Sequence, residues 1–296
     1  HCSVYDSVTK RSGFYEKSLE EHMIRMIASD IDGTLLDGCG RLSERTKKAL
    51  DDAAVRKIHT VIATGRAFSA LPETLKSLEA LEYVITSNGS SIFRLSDGRR
   101  IAGWDMPETL VMSAKTIFRK YPYPIEVFIH GRAYAQADYC RCPQKFGVPK
   151  SSVSYVQTTR IPTEDIDGLI ERCRDQIEGM DMIVDDMKMK SEIRGQLEQL
   201  DNIYVTTSAD HYIEIAAGGC SKAAALRILA QMLGIDLADA AAFGEGENDL
   251  EMIEACGIGV AVGNACERLL AAADIIAPDH SEDGVACILE QLCQTI

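Results

Sequence analysis

Met26-Ile27-Ala28-Ser29-Asp30-Ile31-Asp32-Gly33-Thr34-Leu35-Leu36 is the stretch whose reading decides the fold. The apolar run Met26-Ile27-Ala28 predicts a buried strand, and Asp37-Gly38-Cys39-Gly40 predicts a turn soon after it. Two carboxylates, Asp30 and Asp32, therefore stand where a strand gives way to a loop. In open α/β sheets that edge is where ligands bind. Asp30 and Asp32 are two apart, so extended chain points them to the same side. Like charges so close disfavour each other's ionisation unless a cation or donors offset them. The pair implies a metal, a proton to be moved, or both. Asp and Gly are also ordinary turn formers, but a plain turn does not account for Asp-x-Asp-Gly-Thr behind an apolar strand.

Outward from this stretch the same grammar repeats. Ser43 is placed to cap a helix running to about Val55. The β-branched run 60–63 predicts a strand ending in Thr64-Gly65-Arg66, and a helix is predicted over 67–78. A third strand over 83–86 ends in Ser87-Asn88-Gly89. Strand, helix, strand, helix, strand is the pattern of a parallel, doubly wound sheet. It returns late in the chain. A helix is predicted over 221–233, then a strand over 240–243 that ends in Gly244-Glu245-Gly246-Glu247-Asn248-Asp249, a helix start at 250–255, strands over 258–261 and 275–277, and a closing helix over 282–292.

Between these halves the pattern changes. Ser96-Asp97-Gly98 lies between two short apolar runs and signals a hairpin. Helices are predicted over 107–120, 163–178 and 187–200, with strands over 125–129, 133–135, 182–184, 203–206 and 212–215. The fold class expected is α/β: a doubly wound, Rossmann-like core over 23–88 and 218–296, with an inserted α+β domain over 89–217. Residues 1–22 read as an N-terminal extension, helical around 15–22, before a natural start at Met23.

Composition narrows the function classes. Lys and Arg number 31 against 45 Asp and Glu, a net charge of −14 that disfavours nucleic acid and anionic membranes as partners. A phosphorylated ligand must therefore meet local positive charge. The ten cysteines show no recurrent zinc spacing, and 1–22 has no apolar signal core, so reduced thiols and a cytoplasmic location are expected. No apolar run reaches the roughly 18 residues of a membrane helix.

Three further motifs carry chemistry. Thr64 sits beside exposed backbone N–H groups at a strand end, where a hydroxyl can hold a phosphate oxygen, although a helix N-cap explains it equally. Lys222 falls in the first turn of a helix, where a cation opposes the macrodipole at some tenths of a kcal/mol; an anion held between it and the helix amides accounts for its place, as does a solvated surface lysine. Glu245, Glu247 and Asp249 crowd a glycine loop with hard oxygens of the kind Mg²⁺ takes.

Asp30-Ile31-Asp32-Gly33-Thr34, Thr64-Gly65-Arg66, Lys222 and Gly244-Glu245-Gly246-Glu247-Asn248-Asp249 stand in the order of the four motifs of the haloacid-dehalogenase-like hydrolases. The chain resembles that superfamily over about 24–292. Ser87-Asn88-Gly89 resembles the step where its Cof-type phosphatase branch enters an inserted α/β cap. The resemblance implies that Asp30 is a nucleophile and Asp32 a general acid and base. It implies phosphate binding by Thr64, Gly65 and Lys222, and substrate contacts from Arg66, Asn88 and Gly89. It also implies Mg²⁺ on Asp30, Asp32, Glu245 and Asp249, with Asn248 orienting the site. The family usually has Asp where this chain has Glu245, one methylene longer. The activity implied is a Mg²⁺-dependent phosphatase of small phosphorylated metabolites such as sugar phosphates. A phosphomutase and a non-catalytic phosphate-binding member are the alternatives. His130, Arg132 and Tyr134 are cap residues singled out for substrate by polarity alone, and oligomeric state is left open.

Overall fold

A computed structural model describes residues 9–10 and 23–294. The extension read at 1–22, with its helix at 15–22, lies outside the described residues except for Thr9–Lys10. These two form a short strand, β1. The first large sheet continues with β2 (Met26–Ser29), β3 (His59–Ala63), β4 (Tyr83–Thr86), β5 (Ser91–Arg94) and β6 (Arg99–Gly103). The second sheet is built from β7 (Ile125–Ile129), β8 (Arg132–Gln136), β9 (Arg160–Thr163), β10 (Ile177–Ile183), β11 (Ile203–Thr206) and β12 (Tyr212–Ala217). The chain then returns to the first through β13 (Ala240–Gly244), β14 (Ile258–Ala261) and β15 (Ile275–Ile276).

The first sheet has nine strands in the order β1-β15-β14-β13-β2-β3-β4-β5-β6. The six from β15 to β4 run parallel, as the alternating grammar predicts. Alternate residues on each strand face opposite layers. Met26, Val61, Ala240 and Ala242 pack with Ala225, Leu226 and Leu229 of the helix Lys222–Leu233. Ile27, Ile62, Ala241 and Phe243 pack with Leu50 of the helix Glu44–Val55 and Leu289 of the helix Gly284–Gln294. Both faces are covered, which is why these strands are apolar throughout. From β2 the chain winds one way through β3 and β4, then re-enters at β13 on the other side of β2. The switch point therefore lies between β2 and β13, where doubly wound sheets bind ligands.

Three expectations are corrected. The hairpin β5–β6, assigned to the inserted domain, pairs antiparallel onto β4 and extends the core sheet. Which sheet a hairpin joins is a non-local matter that its own turn does not encode. Ala67–Leu78 is not one helix: Pro72 interrupts it, leaving a 3₁₀ turn at Phe68–Ala70 and a single helical turn at Glu73–Lys76. The helix read over 163–178 stops at Arg172, and Ile177–Ile183 is a central strand. The helices Ala137–Arg141 and Lys150–Thr159 were not anticipated.

The second sheet has the order β11-β12-β10-β7-β8-β9 and is antiparallel except for β8–β9. One face, through Ile125, Val127, Met180, Met182, Ile213 and Ile215, packs on the helices Glu108–Phe118 and Met187–Leu197. The other face turns toward the first sheet's loops, and Phe128 and Ala133 there join a cluster with Ala67 and Ala70.

Candidate active site

Asp30 follows β2 directly, and its N–H donates to the Phe243 carbonyl on β13 at 3.0 Å. The chain then coils tightly: Gly33 takes φ +70° and the Leu36 N–H closes on the Ile31 carbonyl at 3.0 Å. Asn264 Nδ2 donates to the Gly33 carbonyl at 2.8 Å, and His280 Nδ1 lies 2.8 Å from the Leu36 carbonyl. The strand thus ends at Asp30, and the two acids lie in different surroundings. Asp30 is buried, whereas the Asp32 side chain is 55% exposed and faces Arg66.

Lys222 opens its helix behind the N-cap Ser221, whose Oγ accepts the Ala224 N–H at 3.1 Å. It is completely buried, and its Nζ donates to Asp30 Oδ1 at 2.7 Å and Asp249 Oδ1 at 2.6 Å. Burial opposes its charge, but Asp249 and Asp30 outweigh burial and push its pKa up. The Asp30 carboxyl is raised to about 7, chiefly by burial, with Lys222 pulling it down and Asp249 and Asp32 adding to the rise. The placement of Lys222 at an unfavourable dipole end is explained by these two carboxylates.

Asp249 Oδ2 accepts the backbone N–H groups of Glu245 and Gly246, each at 3.0 Å. Both its oxygens are therefore engaged within the protein. Carboxylate oxygens of Asp30, Glu245 and Asp249 lie within 4.8 Å of one another. Glu245 Oε2 is buried with no hydrogen-bond partner, and burial followed by Asp30 and Asp249 drives its pKa well up. A buried carboxyl with an unpartnered oxygen beside two other acids offers the hard oxygens a divalent cation takes, so the residues present fit a metal. The Asp32 side chain is not in this group.

Thr64 is buried at the end of β3, and its Oγ1 accepts the Arg66 N–H at 3.1 Å. Arg66 grips Asp32 with two parallel bonds, Nε to Oδ2 at 2.7 Å and Nη2 to Oδ1 at 2.5 Å. Its Nη1 donates to the Ala70 carbonyl at 3.1 Å, and its guanidinium lies 4.4 Å from the centroid of the Tyr155 ring. Arg66, read as a substrate contact, lines the cleft with its fork on Asp32. Asn88 and Gly89, read likewise, make contacts within the protein. Asn88 takes φ +53° and accepts from Asn248 Nδ2 at 3.0 Å. Gly89 takes φ +106°, and a Cβ there would run into the Ser221 carbonyl. This close approach seats the Lys222 helix against the site.

A cleft of about 670 Å³ opens over Asp30, Asp32, Thr64, Gly65, Arg66 and Glu245. Its other wall is the second sheet, through Phe128, Tyr155, Arg160, Asp181, Tyr212 and Glu214. His130, Arg132 and Tyr134 are not among the lining residues. His130 bonds Gln176 at 3.0 Å, and Tyr134 lies opposite Val127, on the face packed by helices. The wall residues were missed, although alternation in Ile125-Glu126-Val127-Phe128-Ile129 already set Glu126 and Phe128 apart from the apolar side.

Acids tied by a buried lysine at the switch point of a doubly wound sheet, in a cleft walled by a second sheet, mark the ligand site of an α/β protein. The chain belongs to the haloacid dehalogenase-like hydrolases, whose family profile matches residues 27–289. It is 30% identical over 267 residues to the 5-amino-6-(5-phospho-D-ribitylamino)uracil phosphatase of Bacillus subtilis, covering 90% of this chain and 95% of that one. It is 28% identical over 251 residues to the HMP-PP phosphatase of Cronobacter sakazakii, covering 84% and 88%. Among solved structures, a haloacid dehalogenase-like hydrolase from B. subtilis superposes with a TM-score of 0.80 at 26% identity, covering 91% of this chain and all of that one. The chain is a phosphatase-type hydrolase of this superfamily. Among the described residues no helix is long and apolar enough to cross a membrane.

Proposed function

We propose that this enzyme hydrolyses phosphate monoesters of small metabolites, sugar phosphates among them, with Mg²⁺ and an aspartyl-phosphate intermediate. The observation that carries the reading is Asp30 held against Lys222 at the switch point, with Asp32 clamped at the mouth of the same cleft. Asp30 attacks phosphorus, and the bond to the leaving oxygen breaks as Asp32 delivers a proton to it. Asp32 then takes a proton from water, which displaces Asp30 and frees phosphate. Thr64, the Gly65 backbone and Lys222 receive the phosphoryl oxygens. Asp30, Glu245, Asp249 and the Asp32 carbonyl would hold the metal, which would offset charge on the transferring group. The longer Glu245 arm lies against Gly33, where a Cβ would stand 3.3 Å from its Cγ, so the absent side chain supplies its room.

The six-stranded unit acts as the cap that shields the site from water. The two phosphatase relatives act, by their names, on small phosphorylated molecules, which is in keeping with this reading. Free cysteines throughout the described residues favour a reducing, cytoplasmic location. Asp30→Asn should abolish turnover of p-nitrophenyl phosphate while circular dichroism stays native. Turnover retained within about tenfold of wild type would refute the nucleophile assignment.

A further inference from the structure

Three strands of the cap sheet each carry one acid between apolar neighbours: Ile125-Glu126-Val127, Met180-Asp181-Met182 and Ile213-Glu214-Ile215. The neighbours fill the layer under the helices, so the acids project from the opposite face. Register sets them abreast, with Asp181 directly across from Glu126 on one side and from Glu214 on the other. Like charges directly opposite destabilise a sheet. Their exposures are only 0% for Glu126 and 5% each for Asp181 and Glu214. Asp181 and Glu214 line the same cleft as Asp30.

Only Glu126 has a counter-charge in bonding contact. Arg160 Nε reaches its two oxygens at 2.9 and 3.0 Å. Glu214 Oε1 accepts the Ser208 hydroxyl at 2.9 Å, but Glu214 Oε2 is buried with no partner. Burial and the neighbouring acids Glu214 and Glu126 push the Asp181 carboxyl well up, Arg160 opposes them from a distance, and no hydrogen bond is made to it. Arg66, the other cation lining the cleft, is already bound to Asp32. Two buried acids thus face the substrate space with Arg160 and Lys222 acting on them only from a distance and no cation in bonding contact. Packing does not ask for them, since a neutral residue of similar size would fill the same space at lower cost. A ligand hydroxyl would supply a donor but no charge. A protonated amine supplies three donors and the charge together.

We propose that the alcohol portion of the substrate carries a protonated amino group, received by Asp181 and Glu214. The proposal rests on the phosphatase reading and narrows its substrate class to amino-bearing phosphate monoesters. The experiment compares kcat/KM across matched pairs differing only by an amine for a hydroxyl: glucosamine 6-phosphate with glucose 6-phosphate, and phosphoethanolamine with 2-hydroxyethyl phosphate. The expected result is an amine preference of at least about tenfold in one pair, the discrimination that one charge-assisted hydrogen bond supplies. Asp181→Asn and Glu214→Gln should each shrink that ratio. Asp181→Asn should also raise the melting temperature of the unliganded protein, because it removes an uncompensated buried acid. No amine preference in either pair, or a lowered melting temperature in Asp181→Asn, overturns the proposal while leaving the phosphatase reading intact. Failure to hydrolyse any of these esters and p-nitrophenyl phosphate as well overturns both.

Discussion

Replacing Lys222 with methionine keeps the length of the side chain and removes its charge. In the native protein that charge is the common partner of Asp30 and Asp249, at 2.7 and 2.6 Å, with no solvent reaching it. Removing one member of a buried ionic group costs about 3–5 kcal/mol, because the remaining charges are left uncompensated. For a protein of this size about 2–4 °C is lost per kcal/mol. Lys222→Met should therefore melt about 6–20 °C below wild type in EDTA at pH 8. The deficit should shrink toward pH 4, where protonation removes the charges that lack a partner. Pairing the substitution with Asp30→Asn should recover part of the loss, so the double variant falls short of the sum of the single ones. Calorimetry and urea titration of the four proteins measure this directly. A loss below about 1 kcal/mol, or strict additivity, would mean that Lys222 is not the shared partner of these acids and would remove the electrostatic basis of the site.

Other predictions test the same geometry from different sides. Burial raises the Asp30 carboxyl from 3.8 to about 7, so the folded state holds a proton that the unfolded state has already lost. Its contribution to metal-free stability should be complete below about pH 4 and fade as pH rises through 7, and Asp30→Asn should flatten that slope in denaturant titrations. Arg66→Met frees Asp32 from its two-point clamp and should lower kcat about 10- to 100-fold, with Arg66→Lys failing to restore it because an ammonium cannot present the fork. Glu245→Gln should weaken whatever rise in melting temperature Mg²⁺ produces in the wild type, read by calorimetry with and without the ion. An unchanged Mg²⁺ response would exclude Glu245 as a ligand.

The parts of this molecule legible in its sequence are those in which local pattern and chemistry coincide. Asp30, Thr64 and Glu245 each follow a short apolar strand, so their place on one sheet edge follows from the grammar of parallel strands alone. What that grammar omits is direction after the strand ends. The chain coils after Asp30, leaving Asp30 buried and Asp32 largely exposed, and only the fold brings Arg66 to Asp32. Asp249 reads as an acid of the site by composition, and the structure adds that its oxygens also meet Lys222 and two backbone amides. Such donors come from distant segments and leave no local signal.

The second sheet and the hairpin before it were harder to read because their information lies across strands. The hairpin 91–103 carries a clear turn signal, yet its membership of the core sheet depends on an exposed edge of β4 far from that turn. Ile177–Ile183 was masked by helical spacing in the residues before it. Once the three strands β7, β10 and β12 are in register, Glu126, Asp181 and Glu214 become a row, though each alone is one polar residue in an apolar run. A solvated sheet face would scatter its charges or alternate their sign. This face concentrates one sign, excludes solvent and supplies one arginine for three acids, so its stability is lowest when the cleft is empty. A surface that is poorly satisfied alone gains most from a ligand of opposite charge. The same logic operates at Glu245, where an orphaned oxygen marks the place for a cation. Each wall of the cleft therefore carries a local deficit of positive charge, and a substrate with an amine at one end and a metal-bound phosphate at the other would relieve both at once.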